Sequence, residues 1–290
     1  MNITQLKDAI SYDMDKLDSW EKGYLFEHFL ASHDSNDNIC HSGVVLDKSG
    51  NFLAHINGKD HLVMHSLDTP LNWERSWEKL SNIEATLSNN LSFAYSPIFG
   101  YLTSQPSNAG TALTVCALLH LPSLIHLNQI EDVLMTEIND EISVNAFQNN
   151  CGDIITIQNR YTLGVSEDHI LREMHKSMTR LMYLEKTYRN YLLENPNVDL
   201  LDRVRRAIGL LKYSCQIKRK EALSALSLIK LGVDLQWIAG LNAKEINKLF
   251  FEMHHIYPLF PKHGRLTHDQ IPHKRAELLQ EALKSISMNL

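Results

Sequence analysis

The sequence has few cysteines. Only four occur among 290 residues, and no two of them form a Cys-x-x-Cys pair. Such spacing supports neither a disulfide framework nor a zinc-binding knuckle. We therefore expect free thiols in a reducing cytoplasm. Cys151 is interpreted as a structural thiol, because no histidine stands beside it in the sequence.

The sequence also lacks a long hydrophobic run. The longest, residues 115–127, is interrupted by His120, Pro122 and His126 and is too short to span a bilayer. The first twenty residues mix acidic with apolar side chains, which does not match the basic start and apolar core of a secretory signal. These absences predict a cytoplasmic protein that does not associate with membranes.

Cations are missing from one long segment. Between Ser81 and Asn159 there is no lysine or arginine, although seven acidic residues occur there. The whole chain has a formal net charge of -6, which argues against nucleic-acid binding because such binding depends on clustered basic residues. We predict no nucleic-acid partner, and a phosphate-binding loop within this segment would have no local cation.

The first half has the pattern of antiparallel β-structure. Residues 43–66 alternate in polarity and break at residues 48–50 and 57–58, which predicts consecutive strands joined by tight turns. Another strand pair is expected across residues 143–144 and 154–158. A strand, a small-residue loop and an apolar helix are expected around residues 100–127. One amphipathic helix that packs on the sheet is predicted from the spacing of Leu124, Leu127, Ile130 and Leu134.

The second half is predicted to be helical. Ser166 and the acidic residues after it suit the start of a long helix, which Pro196 ends, and Asn197 or Asp199 can cap the next one. Gly232 is expected to close a further helix. Two more helices are predicted, one opened by Asn242 with Glu245, the other with Pro272 in its first turn. The prediction is an α+β fold with domains of residues 1–194 and 199–290, the latter all-helical.

The segment "FGYLTSQPSNAGTALTVCALLHLPSLI" resembles the signature region of the guanidino (phosphagen) kinases, and is closest to the bacterial protein-arginine kinases. "INGKDHLVMH", "NRYTLGVSEDHI" and "KRAELLQEAL" are similar to further segments of that family. The resemblance implies a kinase-like antiparallel sheet with flanking helices, shortened at its N-terminal end, before the helical module. On local pattern alone, the small residues of the signature loop indicate an ordinary turn.

The resemblance also assigns residues, and several differ from the family. Positions that match its nucleotide and substrate site are Asn57, Asp60, His61, Asn108, Gly110 and Thr111. Gln105 stands where the family has a reactive cysteine, Gly58 and Lys59 replace two glutamates, and Thr114 and Val63 replace arginines. An Arg-Gly-x-x-Gly-Glu loop is not recognisable in residues 143–153, and an N-terminal Ser-Ser-Arg-x-Arg segment is not found.

These departures favour a pseudokinase with no catalytic residues and no cofactor, which acts through a protein partner. An arginine kinase, its activator or a second copy of the chain is the expected partner. Alternatives are a structural subunit, or an active Mg-ATP-dependent protein-arginine kinase with a rebuilt site. Cations for that rebuilt site would come from Arg75, Lys79, Arg160 or Arg172.

By resemblance, Arg275 and Ala276 belong to a degenerate phosphoarginine-pocket motif in which Ile271 and Pro272 replace its first arginine and aspartate. A solvated helix face is the alternative for Arg275 and its neighbour Lys274.

The fifteen histidines do not form a recognisable metal-binding motif. His61 and His65 could share a strand face, but their segment lacks the glutamate of a metalloprotease helix. The histidines between His254 and His273 lack ligand spacing. We predict no metal site.

Overall fold

The computed structural model describes residues 6, 8–18, 21–23, 25, 41–68, 73–146, 151–254, 267 and 269–289. Backbone contacts divide the chain into two compact units, Met1–Ala112 and Leu113–Leu290. The predicted domain boundary between residues 194 and 199 falls within the second unit. The division into domains of residues 1–194 and 199–290 stays a prediction.

The first unit contains a four-stranded antiparallel sheet with its strands in sequence order. The consecutive strands predicted for residues 43–66 are confirmed, and their second turn begins at Asn57, whose φ is 58°. The strands are β1 (Ile10–Asp13), β2 (Gly43–Leu46), β3 (Phe52–Ile56) and β4 (Leu62–Ser66).

A long helix packs against this sheet. Helix α1 (Trp73–Ser88) buries Ile83 against Phe52 of β3, and both side chains are almost fully enclosed. Lys79 of the same helix bonds Asp47 at 2.9 Å and lies 5.1 Å from the centre of the Phe52 ring. A short hairpin of β5 (Tyr95–Ser96) and β6 (Gly100–Tyr101) follows the helix.

The second unit begins with a three-stranded antiparallel sheet in the order β7-β9-β8. Its strands are β7 (Cys116–His120), β8 (Ile142–Ala146) and β9 (Ile154–Asn159). Ser143 pairs with Gln158 and Val144 with Ile157, which confirms the predicted strand pair. The prediction of a helix directly after the small-residue loop was wrong, because β7 comes first and its central residue Leu118 pairs with Thr156.

The single helix predicted from Leu124 to Leu134 was also wrong. Two helices occupy this segment, α2 (Pro122–His126) and α3 (Ile130–Glu137). Asn128 between them has a φ of 56°, and the N–H of Gln129 donates to the carbonyl of Leu124. This left-handed residue and the bond around it form a helix-ending motif that apolar spacing does not reveal.

In the described part of the unit, five longer helices follow: α4 (Glu167–Glu194), α5 (Val198–Tyr213), α6 (Arg219–Asp234), α7 (Ala243–His254) and α8 (Gln270–Ala282). The predicted caps at Ser166, Asn197 and Asn242 are confirmed by bonds from their side chains to backbone N–H groups. Gly232 does not close α6. A Cβ there would lie 2.6 Å from Ile238, so the glycine permits close packing.

These helices share one apolar core, to which Leu192 of α4 and Cys151 also belong. Two short strands, β10 (Ile238–Ala239) and β11 (Ser287–Met288), pair at its edge and add a small sheet to a module predicted as all-helical. Among the described residues, no helix combines the length and the apolar character needed to cross a bilayer.

Candidate functional site

The loop after β6 closes on itself through its backbone. Tyr101 and Gly110 exchange two N–H to carbonyl bonds of 2.8 and 3.0 Å. Gly100 has a φ of +73°, and a Cβ at this position would lie 2.5 Å from the carbonyl oxygen of Gly110. Glycine is therefore required at position 100 by both conformation and space.

The β3–β4 turn meets this loop at one point. The carboxylate of Asp60 accepts a hydrogen bond of 2.6 Å from the backbone N–H of Ser104. Asn57 and His61 lie on the same turn, where the N–H of Asn57 donates to the carbonyl of His61 and the His61 side chain is exposed. The two segments selected by resemblance are thus adjacent in the first unit.

Four backbone N–H groups of the loop donate to protein oxygens. Asn108 donates to Gln105 and Ala109 donates to Pro106, in addition to the bonds of Ser104 and Gly110 described above. Thr111, one residue later, is half-buried. A phosphate-binding loop needs N–H groups directed at its ligand, and these four are directed at protein oxygens instead.

The fit of a nucleoside triphosphate to these two segments is poor. Lys59 is the one lysine or arginine in residues 57–61 and 100–111. One such charge is too little to neutralise the three phosphates of Mg-ATP. Lys79, considered above as a replacement, is already committed to Asp47. We therefore assign no cofactor contact to these segments.

A buried polar cluster in the second unit was not anticipated from the sequence. His120 of β7 bonds Ser227 of α6 at 2.8 Å, and the Ser227 hydroxyl makes a very short bond to Asp153. Nε2 of His126 lies 3.3 Å from Oδ2 of Asp153. Desolvation by burial, with a contribution from the charge of Lys230, lowers the pKa of His120 to about 3. Burial opposes ionisation of Asp153, but His126 and Ser227 outweigh it and hold the pKa of this carboxyl below its ordinary value.

A second buried carboxylate lies at the start of α2. Glu185 of α4 accepts the N–H groups of Ser123 and Leu124 at 3.0 and 3.1 Å. Arg189 lies 3.2 Å from Glu185 and 2.8 Å from Asp234 of α6, so it joins α4 to α6. Burial raises the pKa of Glu185 despite these contacts.

Arg275 does not lie on a solvated helix face, so that alternative was wrong for this residue. Its side chain is buried, with 2% of the residue exposed, and Nη1 donates to the carbonyl of Ile217 at 2.9 Å. Burial, assisted by the charge of Arg219, lowers the pKa of Arg275 to about 10. Ala276 is buried beside it, while Lys274 pairs with Glu277 at 2.7 Å.

No cluster of three or more metal-ligating side chains occurs among the residues that the structure describes. His65 lies within β4, and His61 lies outside that strand in the preceding turn. The side chains of His254, His255, His263 and His268 lie outside the described residues.

Comparison with known sequences identifies two matching families. The ATP:guanido phosphotransferase C-terminal catalytic domain matches residues 2–188, and the protein-arginine kinase McsB C-terminal domain matches residues 197–290. The protein-arginine kinase of Chlamydia pneumoniae is 34% identical over 278 residues, which cover 92% of this chain and 77% of that protein. The protein-arginine kinase of Brevibacillus brevis is 30% identical over 280 residues, which cover 94% and 78%.

Solved structures show a similar fold at lower identity. Lombricine kinase superposes with a TM-score of 0.52 at 22% identity, over 63% of this chain and 57% of that one. The duplicated taurocyamine kinase from Schistosoma mansoni superposes with a TM-score of 0.55 at 22% identity, over 74% and 35%. The predicted α+β class, with antiparallel sheets and flanking helices, is confirmed.

Proposed function

The chain belongs to the ATP:guanido phosphotransferase family, and on this basis we propose that it is a catalytically inactive homologue of protein-arginine kinase that acts by binding other proteins. The proposal rests on the loop after β6, in which the N–H groups of Ser104, Asn108, Ala109 and Gly110 bond within the protein. The same region lacks cations, since residues 81–159 contain no lysine or arginine.

The energetic cost of missing cations is large. Phosphoryl transfer depends on neutralising charge on the transferred group, and a single well-placed arginine contributes roughly 10³ to 10⁵ in rate. This factor corresponds to about 4 to 7 kcal/mol of transition-state stabilisation. By resemblance, this chain has replaced two such arginines, at Val63 and Thr114.

Lys59 adds a further obstacle. By resemblance it stands where the family has a glutamate that orients the guanidinium. A lysine is protonated at neutral pH, so it neither accepts a proton there nor attracts a cationic guanidinium. Binding of an arginine substrate at this position is therefore disfavoured.

An active kinase is the second candidate, because the relatives carry the name protein-arginine kinase. Such an enzyme would use Mg-ATP and would need cations from residues outside the two segments. Arg160 and Arg172 are exposed on the second unit and are the residues to test for that role.

Purified protein mixed with Mg-ATP and an arginine-rich protein is expected to incorporate no acid-labile phosphate. The reason is that four N–H groups of the loop bond to protein oxygens and that the loop contains no lysine or arginine. Phosphate incorporation is measured by scintillation counting and nucleotide binding by isothermal titration, with the Brevibacillus brevis relative assayed in parallel. Micromolar Mg-ATP affinity, or turnover that disappears in Thr111→Ala, would support the active alternative instead.

Restoring two family residues together, Thr114→Arg and Gly58→Glu, is expected to leave the protein inactive. Catalytic groups that act as a unit contribute non-additively, and Lys59, Val63 and the internally bonded loop remain unchanged. The same phosphate assay measures the outcome. A double variant with clear turnover would mean that the other parts of the site are already present.

We place the binding surface on the helical module, residues 199–290, in the cytoplasm. Helix α5 presents Arg203 and Arg205 to solvent, and Tyr213 at its end is 79% exposed. Exposed cations and an exposed aromatic ring on one helix suit an acidic protein segment, since charge guides encounter and the ring supplies contact area. An arginine kinase, its activator or a second copy of the chain is the proposed partner.

A further inference from the structure

The polar cluster around Asp153 joins three separate parts of the second unit. Ser227 of α6 and His126 of α2 lie against the carboxylate of Asp153 in the turn Cys151–Asp153, and His120 of β7 reaches it through its bond to Ser227. Ser227 is fully buried, and the side chains of His126 and Asp153 are 14% and 16% exposed. The cluster therefore has little access to water.

The direction of its hydrogen bonds follows from a count of protons. The serine hydroxyl has one proton, and an ionised carboxylate can only accept, so Ser227 donates to Asp153. His120 must then donate its Nε2 proton to Ser227. Nε2 of His120 therefore carries a proton, and because burial disfavours a second proton on Nδ1, His120 is the neutral tautomer that is protonated on Nε2.

The backbone of the turn is held tightly against the helices. Gly152 and Asp153 have φ values of 72° and 54°, and Asp153 is a non-glycine residue in the left-handed region. A Cβ on Gly152 would lie 2.7 Å from the Phe250 ring and 3.1 Å from the carbonyl oxygen of Leu223. A conformation of this kind persists only where surrounding contacts impose it.

Other charges lie around the cluster. Lys230 and Arg189 oppose a proton on His120, as does His126, while Asp153 favours one. Arg189 and Lys230 are in turn balanced by Glu185 and Asp234. We propose that the Asp153 cluster is an acid-sensitive latch, which holds the turn Cys151–Asp153 on α6 at neutral pH and releases it as the pH falls.

The sign of the pH effect follows from His120. Its pKa falls from 6.5 to about 3 in the latched state, so the released state binds more protons below pH 6.5. The ratio of latched to released molecules should therefore fall about tenfold per pH unit below that value. The lowered pKa of Asp153 destabilises the latched state further only below pH 3.8. The raised pKa of Glu185 favours the latched state as the pH falls.

Hydrogen exchange of the full chain tests the latch, with His120→Gln as the key variant. Glutamine can donate to Ser227 from a similar position but does not titrate. The difference in pH dependence between wild type and variant therefore reports the titration of His120, because the other pH effects are common to both proteins. Between about pH 7 and about pH 5, wild-type protection of residues 151–159 and 219–234 should fall about 25-fold in total relative to the variant, after correction for intrinsic exchange, with most of the fall below about pH 6.5.

The matched control is His169→Gln, which replaces a half-exposed histidine that bonds Glu141 at the surface of the same unit. It should keep the wild-type pH dependence. Identical pH dependence in wild type and His120→Gln would overturn the proposal. If that variant does not fold, nitrogen NMR of labelled histidine in the wild type decides: a His120 signal that stays neutral and Nε2-protonated at about pH 5 supports the latch, and titration near its ordinary pKa refutes it.

Discussion

A fragment of residues 113–290 is expected to fold, whereas a fragment of residues 199–290 should be much less stable or fail to fold. The helical core includes Cys151 and Leu192, which the shorter fragment lacks. The shorter fragment also lacks Asp153, the partner of Ser227, and Arg189, the partner of Asp234. Ser227 and Asp234 would therefore lose these bonds. Circular dichroism and urea unfolding of both fragments measure the difference.

The same fragments locate the binding surface. Fragment 113–290 is expected to retain the protein partners that the full chain captures, and residues 1–112 are expected to lose them. Retention by residues 1–112 alone would place the functional surface on the kinase-like first unit and contradict our proposal. Equal stability of the 199–290 and 113–290 fragments would show that residues 113–198 do not measurably stabilise the helical core.

Replacing Arg189 with alanine should lower the free energy of unfolding of the second unit by about 3 to 5 kcal/mol. Arg189 lies between two carboxylates, and the Glu185 side chain is only 4% exposed, so its charge would remain buried without a cation. The urea midpoint of the 113–290 fragment and of the full chain gives the value. The double variant Glu185→Gln/Arg189→Met should recover part of the loss, because it removes both charges.

The matched control for this experiment is Arg206→Ala on α5. Arg206 also pairs with an acidic residue at i and i+4 spacing, Asp202, but their side chains are 81% and 54% exposed. A surface pair of this kind contributes about 0 to 1 kcal/mol. Similar losses in Arg189→Ala and Arg206→Ala would contradict a special role for the buried pair.

The sequence predicted those parts of the fold that are determined by neighbouring residues along the chain. Alternation and turn residues gave the strands of residues 43–66, and side-chain oxygens at Ser166 and Asn197 gave helix starts. The errors came where backbone conformation or packing decided the outcome. Asn128 turns left-handed between two helices, and Gly232 is needed for its small volume.

The candidate site divides in the same way. Resemblance located Asp60 and the loop after β6, but the contact between Asp60 and Ser104 depends on how a turn and a loop 44 residues apart approach each other. The latch was beyond sequence reasoning, because Ser227 is 74 residues from Asp153 and 107 from His120. A serine on the apolar face of a helix was the one available signal, and a serine in that position can equally bond to the backbone of its own helix.

The contact between Gly100 and Gly110 affects which substitutions a lineage can accept. The two bonds that close the loop, between Tyr101 and Gly110, join backbone groups, so this closure does not involve the side chain at Gln105. Mutation can therefore change position 105 without opening this closure, while any side chain at Gly100 is selected against for structural reasons. Architecture and chemistry are under separate selection here, so a protein of this family can lose its reaction long before it loses its form.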